Sequence, residues 1–167
     1  FVISVLFSSY DFLKSKKIIK YEYDLLIMFV VFSGICLCFA NEFLLIYLAI
    51  ELQSLAMYIF ATFSRNSEFS TEAGLKYFVF GGIMSCFLLF GLSLIYLYFG
   101  SVSFELIFSI TNFKYEPLFF CGFIFVFIVL MFKVGSAPFH FWLCDVYEGS
   151  ILSVTLLFAS IPKIILF

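Results

Sequence analysis

FVFIVLMFKVGSAPFHFWL, residues 125–143, is the stretch on which the fold turns. It is apolar enough for lipid, yet it carries Lys133 and His140 on either side of a Gly-Ser-Ala-Pro interruption. Pro138 removes the N–H that would bond residue 134, and Gly135 adds backbone freedom. An interrupted helix at bilayer depth is tolerated only where it lines protein or water. The expected fold is therefore all-α, a polytopic transmembrane helical bundle with one broken helix.

Composition supports this class independently. Of 167 residues, 65% are hydrophobic and 12% charged, and mean hydropathy is +1.19. Soluble domains carry about 45–50% apolar and about 25% charged residues, so this chain could not cover its own surface in water. A net charge of −2, with no basic run on a soluble fold, removes the nucleic-acid-binding class. The 28 Phe and 10 Tyr suit a lipid-facing surface and also fit an AT-rich organellar genome. Five cysteines, at 36, 38, 86, 121 and 144, form no C-x-x-C and have no histidine at ligand spacing. They read as small apolar side chains. There is no nucleotide motif or haem-type histidine pair either, so no cofactor or metal is expected on this chain.

A bilayer core of about 30 Å needs roughly 20 apolar residues per helix. Runs of that kind cover 24–40, 43–63, 74–99, 117–143 and 150–167, and residues 1–13 resemble most of a further span. About six membrane helices in a single transmembrane domain over 1–167 are expected. Asn41–Glu42 is a tight connection that predicts an antiparallel hairpin. Residues 64–74 read as a polar connection with serine and threonine caps. Residues 100–117 read as a loop with a short amphipathic turn, and 144–149 as a compact acidic loop. Lys14, Lys16, Lys17 and Lys20 place the first loop on the inner side, and alternation brings Arg65 to the same side. The start of the chain is then expected on the outer side.

Ionisable residues inside apolar runs carry the functional signal. Glu51 is central in 43–63, Lys133 and His140 lie in 117–143, and Lys163 is deep in the last run. Insertion scales charge about 2.5–3.5 kcal/mol for a centrally placed Lys or Asp, so these groups must face protein or water, or pair with each other. Glu51 and Lys133 have two readings, a static buried ion pair or a titratable pair on an ion path. Burying a pair for stability alone is a poor trade, which favours the second. Lys163 has the alternative of snorkelling to the surface, His140 that of an interfacial histidine, and Lys76 that of an interfacial anchor. Arg65, Glu68, Glu72, Asp145 and Glu148 read as solvated loop charges. A lysine relays protons only if burial and a movable carboxylate balance its two protonation states, while a histidine needs little tuning. Glu51, Lys133, His140 and Lys163 are thus expected to form a relay partly in the membrane plane. Pro162, directly before Lys163, invites a second distortion.

The wording of 41–78, NEFLLIYLAIELQSLAMYIFATFSRNSEFSTEAGLKYF, closely resembles the subunit 2 family of the proton-pumping NADH:ubiquinone oxidoreductase, respiratory complex I. FKVGSAPFHFW at 132–142 and DVYEG at 145–149 resemble the same family, which is itself related to multisubunit cation/proton antiporters. The resemblance runs from about residue 20 to the end. It implies an antiporter-like fold with two inverted helical repeats, each holding a broken helix, in the mitochondrial inner membrane. It implies proton translocation through Glu51, paired with Lys133 on the broken helix, and through Lys163, with His140 and Lys76 at matching positions. Redox chemistry would belong to other subunits.

The sequence departs from the family pattern in several places. Ile151 and Leu152 stand where prolines are expected, Cys144 replaces a usual proline, and Pro162 replaces a usual small residue. The second broken helix and its lysine do not occur within 1–167. Expected partners are therefore the other membrane-arm subunits of complex I, a second polypeptide completing the subunit 2 fold, and membrane lipids such as cardiolipin. Two further readings remain, part of a stand-alone cation/proton antiporter and a structural membrane element without transport. The DVYEG and RNSEFSTEAGLKYF wording favours complex I over the stand-alone antiporter, while the structural reading predicts that Glu51→Gln or Lys133→Ala leaves pumping unchanged.

Overall fold

A computed structural model describes residues 9–10, 21–64, 67–109 and 117–166. Along the three longer stretches run α1 (Tyr21–Cys38), α2 (Phe43–Ala61), α3 (Glu68–Phe99), α4 (Phe104–Ser109), α5 (Pro117–Val134), α6 (Phe141–Gly149) and α7 (Leu152–Leu166). Among the described residues, α1, α2, α3 and α5 are long and apolar enough to cross a membrane, and α7 is a shorter apolar helix. The chain is a multi-pass helical membrane protein. Of the expected first span over 1–13, residues 1–8 and 11–13 lie outside the described residues. So do Lys14, Lys16, Lys17, Lys20 and Arg65, on which the orientation rests.

Local chemistry sets the helix ends. Glu22 and Asp24 place negative charge in the first turn of α1, where the helix dipole favours it. Ser67 caps α3, its Oγ accepting from the Ser70 N–H. Gly100 ends α3 in the left-handed region at φ +71°, its N–H donating to Tyr96 O at 2.8 Å. At about 1.5 Å per residue, the 32 residues of α3 extend about 48 Å. That exceeds the hydrocarbon thickness, so the ends of α3 reach the interface.

The tight Asn41–Glu42 turn does fold α1 back along α2, and α3 packs along α2, α5 and α6. At one end of the bundle, Phe43 N–H donates to Val102 O at 3.0 Å, and Phe104 N–H donates to Asn41 O at 3.1 Å. At the other end, Ser70 Oγ donates to Ala61 O at 2.8 Å. The larger core joins Tyr23, Val30, Met57, Phe60, Phe132 and Leu157 from α1, α2, α5 and α7. A second core, around Ile50, Leu88, Leu92 and Val129, fills the other half. Many other apolar side chains, Met28, Phe32, Leu75 and Phe123 among them, point outward. That is the expected division for a lipid-embedded bundle.

Three expectations need correction. Residues 144–149 are not a loop; they lie within α6. Trp142, Val146 and Gly149 follow the i, i+4, i+7 spacing of one helical face, and Asp145 flanks it, 2.8 Å from Lys76. The connection read over 64–74 is shorter, because α3 begins at Glu68 as soon as Ser67 can cap it. α7 runs through Pro162 as one helix, so the proline withdraws a hydrogen bond without ending the element.

Candidate functional site

The site is built around the break in the 117–143 run. α5 stops at Val134 and α6 starts at Phe141, with residues 135–140 between them. Gly135 adopts φ +76°. Its N–H donates to Phe132 O at 3.0 Å, and the Ser136 N–H donates to Met131 O at 3.1 Å. This is a Schellman ending, which needs a residue free to be left-handed at that position. Lys133 therefore sits in the last turn of a half-helix, where the negative end of the dipole favours a cation.

The break is held from the side by Trp142. Its indole N–H donates to Phe132 O at 3.1 Å in the buried interior. The same ring stacks on Tyr77 of α3, with centroids 4.7 Å apart and planes 10° from parallel. Tyr77 in turn meets Tyr58 of α2 edge-on at 4.8 Å. A Cβ on Gly81 would collide with the Tyr58 hydroxyl, so the glycine makes room for that ring. Trp142→Phe is expected to keep most of the stack and lose the indole donor, costing about 1 kcal/mol. A thermal melt of the detergent-solubilised protein, compared with wild type, measures it.

Against this frame, α2 presents a mixed inward face. Gln53 and Ser54 are buried beside Ile50 and Met57. Glu51, half-buried and near the middle of α2, lies close enough to Lys133 for the two charges to act on each other. Glu51 Oε1 and Lys133 Nζ are both buried, and neither has a hydrogen-bond partner among the described residues. Ser54 Oγ donates to Glu51 O at 2.9 Å and so stays on the α2 backbone. Gln53, Ser54, Tyr77, Lys133 and Pro162 line one cavity of about 20 Å³.

The other expected residues take separate places. Lys163 is half-exposed on the last turn of α7, next to Pro162 of the cavity wall. His140 is exposed where α6 begins. Lys76 lies near the start of α3 and is neither a lone anchor nor part of the Glu51–Lys133 pair. Its Nζ is 2.8 Å from both Asp145 Oδ2 of α6 and Glu72 Oε1. These groups border a wider cavity of about 160 Å³ with Glu148 and Gly149. Asp145, read as a solvated loop charge, is thus an ion-pair partner. Gln53 carries no formal charge, so in the sequence it stands out only as a polar residue on the inward stripe of an apolar helix.

Comparison with known proteins agrees with this architecture. Residues 40–167 match the NADH:quinone oxidoreductase/Mrp antiporter transmembrane family. The chain is 42% identical over 164 residues to NADH-quinone oxidoreductase subunit N of Pelagibacter ubique, covering 98% of this chain and 34% of that protein. It is 43% identical over 160 residues to the subunit of the same name from Azorhizobium caulinodans, covering 95% of this chain and 33% of the relative. The chain thus spans about a third of the length of the curated relatives it matches. Among solved structures, a chain of respiratory complex I from Thermus thermophilus with bound aureothin superposes with a TM-score of 0.78 at 32% identity. That match covers 89% of this chain and 33% of the other.

Proposed function

The chain belongs to the NADH:quinone oxidoreductase/Mrp antiporter membrane family, and from that premise we propose that it is a membrane-arm subunit of an NADH:quinone oxidoreductase. In this reading it relays protons through mid-membrane Glu51 and Lys133. The observation that carries the reading is the pair itself. Two buried ionisable atoms, Glu51 Oε1 and Lys133 Nζ, come from different helices, and neither has a hydrogen-bond partner among the described residues; Lys133 also lines the small cavity beside Gln53 and Ser54. A stability pair would bring its atoms into direct contact, because the cost of burying two charges is repaid only with good geometry and further hydrogen bonds. A loosely held pair at a helix break is instead free to gain and lose a proton.

Lys163, following Pro162 on α7, is the proposed onward carrier. Lys76 with Asp145 and Glu72 forms a charged group away from the pair, and His140 stands at the exposed side of the break. In this reading the redox steps belong to other subunits of the assembly, and no cofactor is proposed for this chain. The expected neighbours are other membrane-arm subunits and lipid. Placement in a mitochondrial inner membrane belongs to the same proposal, the Phe-rich composition being one that an AT-rich organellar genome would write.

Glu51→Gln tests the reading. It preserves size and removes the titrating group. In the assembled membrane complex, NADH-driven acidification of vesicles is expected to fall by at least about tenfold, with the complex still assembled. Unchanged acidification would reject the relay. Copurification with flavin and iron–sulfur subunits separates this function from that of a stand-alone cation/proton antiporter.

A further inference from the structure

We propose that Gln53 is the residue that positions Lys133, acting through one water bound in the cavity between α2, α5 and α7. This role rests on reading Lys133 as a proton carrier. Gln53 is 4% exposed, and its Nε2 is buried without a hydrogen-bond partner among the described residues. Lys133 Nζ is in the same condition, and both side chains line the same cavity of about 20 Å³. A site needs about 10–15 Å³ and two to four polar partners to hold a water. Here the partners are Gln53, Lys133 and the Ser54 hydroxyl, whose oxygen still has lone pairs after its own proton is donated to Glu51 O. Pro162, also in the wall, has no N–H to give to the carbonyl of residue 158 one turn earlier.

The chemistry favours an amide at this position. A second carboxylate would hold the lysine permanently charged, and an apolar side chain would leave its nitrogen unsatisfied. An amide carries a donor and an acceptor on one plane and does not itself titrate. Rotating about its last torsion, Gln53 offers its oxygen or its NH₂ to the water. The water then accepts from an ammonium or donates to an amine. Both protonation states of Lys133 find a partner without movement of the helices. The titratable groups around Lys133 are Glu51 on α2 and Tyr77 on α3, with Tyr58 behind Tyr77. α7 contributes Pro162 and Leu166 to the wall, with Lys163 beside them.

The experiment compares wild type, Gln53→Met and Gln53→Asn in the intact membrane complex in nanodiscs. A high-resolution map of the wild type is expected to show water density within hydrogen-bonding distance of Gln53 and Lys133, and Gln53→Met is expected to lose it. Gln53→Met should also slow proton transfer by about tenfold and displace the pH midpoint of the rate, while Gln53→Asn, which keeps the amide, should stay within about threefold. The proposal is overturned if wild type shows no such density, or if Gln53→Met keeps the wild-type pH profile. If Gln53→Met does not assemble, the wild-type map still decides. Lys133→Met separates the two claims. If it leaves translocation intact while the water is seen, the relay reading fails and the hydration site stands. If it stops translocation while Gln53→Met leaves the profile unmoved, only the role of Gln53 is lost.

Discussion

Lys133→Met and Lys133→Arg, placed in the assembled membrane complex, are both expected to lower proton translocation by about a hundredfold. The two substitutions fail for different reasons. Methionine keeps the unbranched stem that packs in the last turn of α5 but has no proton to pass. Arginine keeps the positive charge opposite Glu51 and the favourable interaction with the helix end, yet it does not deprotonate in proteins. A charge that serves only to hold α2 against α5 would be restored by arginine. A group that must cycle between two protonation states would not. Vesicle acidification with each variant, alongside native gels showing assembly, measures the difference. Wild-type pumping by Lys133→Arg would convert the pair into a static tie.

Gly122→Val is expected to damage the fold severely, costing about 3 kcal/mol while touching no ionisable group. Gly122 of α5 lies against Gly91 of α3, where the two backbones meet. A Cβ on Gly122 would stand 2.8 Å from Gly91 O and 3.1 Å from side-chain atoms of Leu94 and Ile95. The obstructing atom at 2.8 Å is backbone and cannot swing aside. The helices must part, and they lose the close packing that replaces the hydrophobic effect between helices in lipid. Gly82→Ala is the control, because a Cβ there meets nothing within 4 Å. Denaturation of the purified membrane protein should show a lower midpoint for Gly122→Val, and an equal or slightly raised one for Gly82→Ala, since alanine is the better helix former.

These two cases mark what the amino-acid sequence makes legible. Lys133 announces itself, since a lysine in an apolar run near Gly135 and Pro138 demands an explanation from solvation alone. The interruption could be located to within a few residues for the same reason. The partnership of Lys76 with Asp145 could not be read, because 69 residues separate them and nothing local distinguishes a paired charge from a solvated one. α6 was missed because nine residues give too few turns for periodicity to outweigh Asp145 and Glu148. Gln53 escaped because an uncharged polar side chain in an apolar helix carries a weaker solvation signal than a formal charge. The Gly91–Gly122 contact is invisible without coordinates, since a glycine does not declare which neighbour it admits.

The ties at the two rims of the bundle have a mechanical consequence. Phe43 to Val102 and Phe104 to Asn41 clamp the start of α2 to the far end of α3, while Ser70 to Ala61 clamps its finish. A rod pinned at top and bottom cannot slide like a piston past its neighbour. The depth of Glu51 relative to α3 is thereby held, and alternation in this segment is left to torsions of side chains.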